Sequence, residues 1–203
     1  MIEFLYAIDR GMFLFVNQTL GSSVGDVLWP LITDYDHWWV IRVPLVVTWV
    51  VLLVFGGRKG RTVAIMVPCV IFLADKLSSA LIKEWVGRPR PCHEIDGIPI
   101  VQGLRLLVEC GPGKSFPSSH AVNNFAVGTL FAYYYSKWKW AFYGAASLVA
   151  ISRVAVGVHY PSDVVGGAFI GTVVGFLVIW TWRNIERQFL VRTGNAVQEG
   201  KSE

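Results

Sequence analysis

The chain has 203 residues, of which 54% are hydrophobic and nine are tryptophans, and its mean hydropathy is +0.49. This composition excludes an ordinary soluble protein and predicts an integral membrane protein with one domain or at most two small ones. The net charge of +4 is modest and spread along the chain, so nucleic-acid binding is not indicated.

The first 36 residues contain two apolar stretches, 4–20 and 24–33, which charged, amide and glycine residues interrupt. They predict two short helices that lie at the membrane interface or dip partly into it, and a tilted sixth span is the alternative. The first stretch lacks a basic leader and a small-residue cleavage site, so no cleavable signal is expected.

Five later segments have the length and apolar character of membrane spans: 38–55, 62–85, 118–135, 140–156 and 161–182. The predicted fold is therefore an all-α polytopic membrane helix bundle, with five clear spans plus the N-terminal helices. We expect residues 1–192 to form a single domain with a core at about 60–183, and the polar residues 193–203 to form a disordered tail.

Clusters of lysine and arginine predict which face of the membrane is cytoplasmic. They follow the first, third and fifth of these spans (Arg58, Lys59, Arg61; Lys137, Lys139; Arg183, Arg187, Arg192). The three clusters lie on one side, which the positive-inside rule assigns to the cytoplasm. Residues 83–117 then lie on the outer face.

Three cysteines have different expected roles. Cys69 lies inside an apolar run and is expected to be a small core residue. Cys92 and Cys110 share the outer loop and are candidates for a disulfide, which the chain-entropy estimate values at about 3 kcal/mol.

Six cations fall on the predicted outer face, where charge bias alone would not place them: Lys83, Arg88, Arg90, Arg105, Lys114 and Arg153. They need local anions as partners. For Arg105 and Lys114 we expect salt bridges with carboxylates of the same face, such as Glu94 and Glu109.

The first stretch that carries chemistry is KEWVGRPRP, residues 83–91. Lys83 and Arg90 are seven residues apart, about two helical turns, and Pro89 and Pro91 are expected to end the helix. An ammonium and a planar guanidinium together suit phosphate oxygens. Taken alone, the stretch is more often a basic turn beside a membrane.

The second stretch is FPSSH, residues 116–120. Ser118 follows a proline and is a natural N-cap, so the backbone amides of Ser118 and Ser119 are expected to face an anion at the helix start. His120 lies in the same turn. By itself, a Ser-Ser-His cap is a common structural device.

The third stretch is SRVAVGVHYPSD, residues 152–163, between the last two predicted spans. It supplies Arg153, then His159, and then Asp163, whose carboxylate is four residues past the histidine and can accept its Nδ1 hydrogen. In isolation, an interfacial His-Asp pair that caps the helix is the better explanation of this stretch. The predicted topology, however, brings all three stretches to the outer face around one pocket for a tetrahedral dianion.

At these residues the chain closely resembles the type 2 phosphatidic acid phosphatase superfamily, which shares its site with the vanadium haloperoxidases. The family pattern is a lysine, six residues and Arg-Pro; then Pro-Ser-x-His; then Ser-Arg, five residues, a histidine, three residues and an aspartate. Every defining position matches over roughly residues 60–180. The one variation is Ser119, where many members have glycine.

The resemblance implies that His159 attacks phosphorus to form a phosphohistidine while Asp163 holds its imidazole. It implies that His120 protonates the leaving oxygen and then activates water. The implied phosphate-binding residues are Lys83, Arg90, Ser118, Ser119 and Arg153. No metal and no cofactor are implied, in keeping with the absence of an acidic cluster in the sequence.

Three charged residues lie outside this pattern. Arg88 is expected to be a surface or headgroup contact rather than a catalytic residue. Asp75 and Lys76 fall inside an apolar span, where ionisable groups are costly, and a polar bond between helices is expected for Asp75.

The expected function is metal-independent hydrolysis of a membrane lipid phosphate or pyrophosphate at the outer face of a bacterial cytoplasmic membrane. The expected partners are the bilayer and its lipid substrate, and the sequence leaves the oligomeric state open. Undecaprenyl pyrophosphate is the leading substrate, with lipid A 1-phosphate and phosphatidylglycerophosphate as alternatives. A vanadate-dependent haloperoxidase and a non-catalytic phospholipid-binding or transport protein are the rivals from other classes.

Overall fold

The computed structural model describes the backbone of residues 2–19 and 21–199 and the side chains of residues 3–19 and 21–189. The described chain is mostly helical, as predicted. Its elements are α1 Ile2–Leu14, α2 Ser23–Thr33, α3 Trp39–Phe55, α4 Gly57–Asp75, α5 Lys83–Val86, β1 Glu94–Ile95, β2 Ile98–Pro99, α6 Ser119–Tyr134, α7 Lys139–Ala155 and α8 Pro161–Glu199. π-helical turns follow α1 at Phe15–Thr19 and join α4 to α5 at Lys76–Ile82.

Two helical stretches of the described chain, Gly57–Val86 and Pro161–Phe189, are long and apolar enough to cross a membrane on their own. Helices α3, α6 and α7 have 17, 16 and 17 residues and fall short of that length, so the predicted count of five spans is not confirmed. Helix α3 nevertheless buries none of its side chains, although it is almost wholly apolar. Such an exposed apolar surface suits lipid rather than water.

The core of the bundle lies between α4, α6 and α8, where Val70, Leu130 and Val174 are among the buried residues. Gly167 and Gly175 lie two turns apart on α8 and let its backbone approach α6. A β-carbon at these two positions would lie 2.9 Å from Ser118 O and 2.8 Å from Ala126 O. This close contact of small residues, typical of membrane helices, fixes the position of the first turn of α6 relative to α8.

The two ends of the bundle have different chemistry. At one end Arg58 Nη2 lies 2.6 Å from Glu186 Oε1, and Lys59 Nζ lies 4.6 Å from the centre of the Tyr135 ring. At the other end the C-terminal ends of α5 and α7 meet the N-terminal ends of α6 and α8. We call this second end the site end, because it holds all three stretches that the sequence singles out.

The N-terminal residues form the two short helices that the sequence predicts, and they pack against the site end. The Asn17 Nδ2 donates to Arg105 O at 2.8 Å and to Ala155 O at 2.9 Å. The Arg105 guanidinium pairs with Asp26 of α2. The expected partners of Arg105 in the outer loop were therefore wrong, because α2 brings a carboxylate directly against it. Lys114 is exposed and has no ion-pair partner among the described residues.

Three further expectations differ from the structure. Cys69 is free and exposed, because the buried face of α4 consists of Val63, Met66, Val70 and Ala74, which follow helical spacing and leave Cys69 on the outside. The helix before Arg90 ends at Gly87 rather than at the prolines, since Gly87 adopts a left-handed conformation (φ +64°) and its amide donates to Lys83 O.

The third difference concerns the C-terminal tail. Helix α8 contains no proline after Pro161, and it continues to Glu199, into the range where the sequence predicts a disordered tail. Residues 200–203 lie outside the described chain. The division into a domain at 1–192 and a tail at 193–203 stays a prediction.

Candidate active site

His159 lies in the turn between α7 and α8 and is only 1% exposed. The turn depends on Gly157, which has φ +93° and on which a β-carbon would lie 2.6 Å from Arg105 O. The Nδ1 of His159 lies 3.6 Å from Asp163 Oδ2, slightly beyond hydrogen-bond length. Because Nδ1 faces this carboxylate, Nε2 is the nitrogen that is free to act on a ligand.

Burial lowers the pKa of His159 to about 4, because a charged imidazolium is poorly solvated there. The carboxylate of Asp163 opposes this shift, and the positive charges of Arg153 and Arg90 add to it. The imidazole is therefore neutral at neutral pH. A neutral imidazole has the lone pair that a nucleophile needs.

Asp163 lies on the first turn of α8, is fully buried and is fixed from several sides. The backbone amide of Tyr160 donates to Oδ2 at 2.7 Å, and the hydroxyl of Ser115 donates to the same oxygen. The Arg88 Nη1 donates to Oδ1 at 2.8 Å. These donors hold the carboxylate beside His159.

Arg88 is therefore not the surface contact that the sequence suggested. Its side chain is 11% exposed, and its guanidinium bridges Asp163 to Asp9 of α1, with 2.6 Å between Nη2 and Asp9 Oδ2. The guanidinium also lies 3.9 Å from the centre of the Tyr160 ring. Burial alone would lower the pKa of Arg88, but the two carboxylates outweigh it and raise that pKa.

Asp9 extends this network to the backbone of α8. It accepts from Ser162 N at 2.9 Å and from Ser162 Oγ at 2.5 Å. Sequence reasoning missed Asp9, Arg88 and Ser115. The signal that was available for Asp9 is a charged residue inside an apolar helix, which is costly without a partner.

Arg90 is held over the site by the loop that follows β2. Its Nε donates to Gly113 O at 2.9 Å, and the guanidinium packs beside Gly111. Burial lowers the pKa of Arg90. This loop is tied back to the Arg90 segment by the disulfide between Cys92 and Cys110.

Arg153 lies at the end of α7 and is buried. Its Nη1 donates to Thr33 Oγ1 at 2.8 Å and lies 3.7 Å from Asp34 Oδ1, so the end of α2 positions this guanidinium. Its Nε has no hydrogen-bond partner within the described residues. Ser118 Oγ is buried and unpartnered in the same way, and a phosphate oxygen would satisfy both donors.

The start of α6 differs from the prediction in one respect. The amide of Ser118 donates to Asp163 O at 3.1 Å, and its hydroxyl makes no capping bond, so the hydroxyl rather than the amide is available to a ligand. The amide of Ser119 has no partner inside the helix, as is usual for a first turn. Ser119 Oγ lies 3.2 Å from Ser79 Oγ, which in turn lies 3.2 Å from Asp75 Oδ1. Among the described residues, Asp75 is linked to α6 through Ser79, and its own side-chain bond stays within one helical stretch instead of joining two helices as expected.

The three stretches meet at the site end. Arg153, His159, Lys83 and Arg90 all lie close enough to His120 to interact with it electrostatically. Arg90 and Arg153 also act on each other, and Lys83 interacts with both. The neutral imidazole of His159 and the second histidine, His120, therefore lie among three cations. Such an arrangement suits nucleophilic attack on a phosphate group.

Comparisons with known proteins agree with this chemistry. The model of the PAP2 superfamily matches residues 64–187. The chain is 30% identical over 190 residues to a lipid A 4'-phosphatase of Bacteroides thetaiotaomicron, covering 87% of this chain and 78% of that protein. It is 25% identical over 156 residues to an undecaprenyl-diphosphatase of Bacillus subtilis, covering 77% and 74%. A crystal structure of a transmembrane PAP2 type phosphatidylglycerolphosphate phosphatase from Bacillus subtilis superposes with a TM-score of 0.67 at 25% identity, covering 89% of this chain and 87% of that one.

Proposed function

The chain belongs to the PAP2 superfamily and is a phosphatase, and from that premise we propose that it removes phosphate from a membrane lipid through a phosphohistidine at His159. The observation that carries this proposal is the buried imidazole of His159, neutral and backed by Asp163, in a cluster of three cations. A cluster of positive charge beside a neutral nucleophile suits a phosphate dianion.

In the first step Nε2 of His159 attacks phosphorus, and the bond from phosphorus to the lipid oxygen breaks. His120 carries a proton in the substrate complex, because the bound phosphate dianion offsets the three cations around this ring. The leaving oxygen takes that proton, and the imidazole of His159 becomes the phosphohistidine. Asp163 stabilises the positive charge that develops on this ring. The lipid alcohol, or the shortened lipid phosphate in the case of a pyrophosphate, then departs.

In the second step water attacks phosphorus from the side that the leaving group vacated. His120 takes the proton of this water, the bond from phosphorus to Nε2 breaks, and inorganic phosphate is released. Both histidines return to their starting states. Lys83, Arg90 and Arg153, with the Ser118 hydroxyl and the Ser119 amide, bind the equatorial oxygens throughout.

The substrate in this proposal is a lipid phosphate monoester or pyrophosphate. The relatives are named for lipid A, undecaprenyl diphosphate and phosphatidylglycerolphosphate, and each of these is a candidate. The lipid chain stays in the bilayer while the phosphate reaches the site end.

We place the enzyme in the bacterial cytoplasmic membrane with the site end facing outward. In this proposal α3, α6 and α7, together with the residues that flank them, complete the five spans. The opposite end carries Arg58, Lys59 and Arg183. Positive residues favour the cytoplasmic side, which supports this orientation.

The test uses purified protein in detergent and a panel of these lipid phosphates, with released inorganic phosphate as the measurement. Wild type should release phosphate from at least one lipid, and His159→Ala should lose about 10⁴-fold or more of that rate, as expected for loss of a nucleophile. A ³²P label from the substrate should remain on the wild-type protein in an acid-labile form that maps to residue 159. Full turnover by His159→Ala would overturn the assignment, and a matching elution profile and melting temperature would show that the variant is folded.

A further inference from the structure

A cavity of about 320 Å³ opens beside Arg153, between the α2–α3 turn and the loop that leads to Cys110. Its lining residues are Asp34, His37, Trp38, Val108, Glu109 and Arg153. The volume is at the small end of the ~300–1,000 Å³ range of ligand pockets, which suits one ring rather than an extended headgroup.

This cavity adjoins the proposed phosphate site, because Arg153 lines the cavity and is one of the proposed phosphate-binding residues. The α2–α3 turn that forms one of its walls also packs against the turn of α6 that carries His120. The Tyr35 hydroxyl donates to Asn124 Oδ1 at 3.2 Å, and Asn124 Nδ2 donates to His120 O at 2.9 Å. Because Arg153 borders both the proposed phosphate site and the cavity, a group attached to the bound phosphate can enter the cavity.

The lining has the chemistry of a site for hydroxyl groups rather than for a second phosphate. Asp34 and Glu109 provide carboxylate oxygens, which accept hydrogen bonds and donate none. Trp38 is 47% exposed and offers a flat apolar face to the C–H bonds of a sugar ring. The one strong cation, Arg153, already has Asp34 3.7 Å away, so a second phosphate would meet two carboxylates and a partly neutralised guanidinium.

We propose that this cavity binds a sugar ring that carries the scissile phosphate, so that the preferred substrate is a glycolipid phosphate monoester rather than a lipid pyrophosphate. The inference rests on the proposed function and narrows its substrate class. In this proposal Trp38 and Glu109 select the sugar, whereas Lys83, Arg90 and Arg153 bind the phosphate.

The experiment compares kcat/KM for three substrates in the same detergent: a glucosamine-based lipid phosphate monoester, a polyprenyl pyrophosphate, and phosphatidic acid, which lacks a sugar. Wild type should prefer the glucosamine lipid. Glu109→Ala and Trp38→Ala should each lower its kcat/KM relative to that for phosphatidic acid by about 10-fold, the equivalent of ~1.4 kcal/mol. In Glu109→Ala the kcat/KM for the pyrophosphate should rise relative to that for phosphatidic acid, because the variant lacks the carboxylate that repels a second phosphate.

The matched control is Glu94→Ala, which removes an exposed carboxylate from β1 at the same end of the protein but outside the cavity. Its substrate ratios should equal those of wild type. A wild type that prefers the pyrophosphate, or cavity variants that keep the wild-type ratios, would overturn the sugar assignment while the phosphatase proposal stands. Failure to release phosphate from these three lipids and from phosphatidylglycerolphosphate would instead overturn the proposed function, and this inference with it.

Discussion

Replacing Arg88 tests whether a residue outside the family's motif holds the catalytic carboxylate in place. Arg88 is 11% exposed and pairs with Asp163 and Asp9, whose side chains are 0% and 11% exposed. Removal of one partner of a buried ion pair costs about 3–5 kcal/mol of stability. Arg88→Ala should therefore melt at a lower temperature, and Arg88→Lys, which keeps the charge, should lie between it and wild type.

The expected loss of activity follows from what remains on Asp163. Without Arg88, the carboxylate keeps the Tyr160 amide and the Ser115 hydroxyl, so it is loosened rather than lost. We expect kcat to fall about 100-fold in Arg88→Ala, or ~2.7 kcal/mol of barrier, with little change in KM. Asp163→Asn should cost more, toward the ~10⁴-fold that the loss of an orienting aspartate costs a serine protease.

A double-mutant cycle separates positioning from general destabilisation. If Arg88 acts through Asp163, adding Arg88→Ala to Asp163→Asn should lower kcat by less than about 3-fold further, because the shared effect is already lost. Arg58→Ala is the control: it breaks an ion pair with Glu186 at the opposite end of the bundle, and kcat should not change. A full 100-fold loss in the Asp163→Asn background would refute the positioning role.

Three more predictions concern the same site. As the pH falls, kcat/KM should drop near pH 4, because His159 gains a proton at its pKa of about 4 and loses its lone pair. Arg90→Gln removes a positive charge that lowers this pKa, so the drop should move to higher pH. A drop at the same pH in this variant would contradict the charge argument. Replacement of Cys92 and Cys110 by serine should raise KM by about 10-fold. The disulfide ties the Arg90 segment to the loop whose Gly113 carbonyl accepts a hydrogen bond from Arg90. An unchanged KM would show that the loop holds its shape without the disulfide. Vanadate should compete with substrate because it adopts the trigonal bipyramid of the transition state, whereas EDTA should leave the rate unchanged, and an EDTA loss that Mg²⁺ restores would mean that the mechanism is wrong.

Local spacing in the sequence predicted contacts within single stretches of the candidate site. His159 and Asp163 are four residues apart, and the turn that holds His159 lies between Gly157 and Pro161, which are visible in the sequence. The disulfide between Cys92 and Cys110 was a candidate because both lie in one loop. The two short N-terminal helices also followed from their apolar pattern. In each case the interacting residues are near each other in the chain, or share a loop.

The parts that the sequence did not reveal depend on contacts between distant residues. Arg88 and Asp9 are 79 residues apart, and the Ser118 amide is taken by a carbonyl on α8 rather than left for a ligand. Arg105 finds Asp26 of α2 across a similar separation, 79 residues. No local pattern records such pairings, because they depend on how α1 and α2 dock against the site end. The N-terminal helices thus look peripheral in the sequence and form part of the wall of the site in the structure.

The nine residues from Lys83 to Pro91 show why charge alone did not identify roles. Arg88 and Arg90 are separated by Pro89 on the irregular segment after Gly87, and their side chains have different partners. Arg88 turns toward α1 and α8, where two carboxylates neutralise it, whereas Arg90 turns toward the Gly113 carbonyl and has no carboxylate within ion-pair distance among the described residues. A cation neutralised by two buried carboxylates is suited to structure, and one held only by a neutral carbonyl keeps its charge for a ligand. We therefore expect the segment to need both arginines: Arg88 fixes the carboxylate beside His159, and Arg90 keeps its charge for the phosphate of the proposed mechanism.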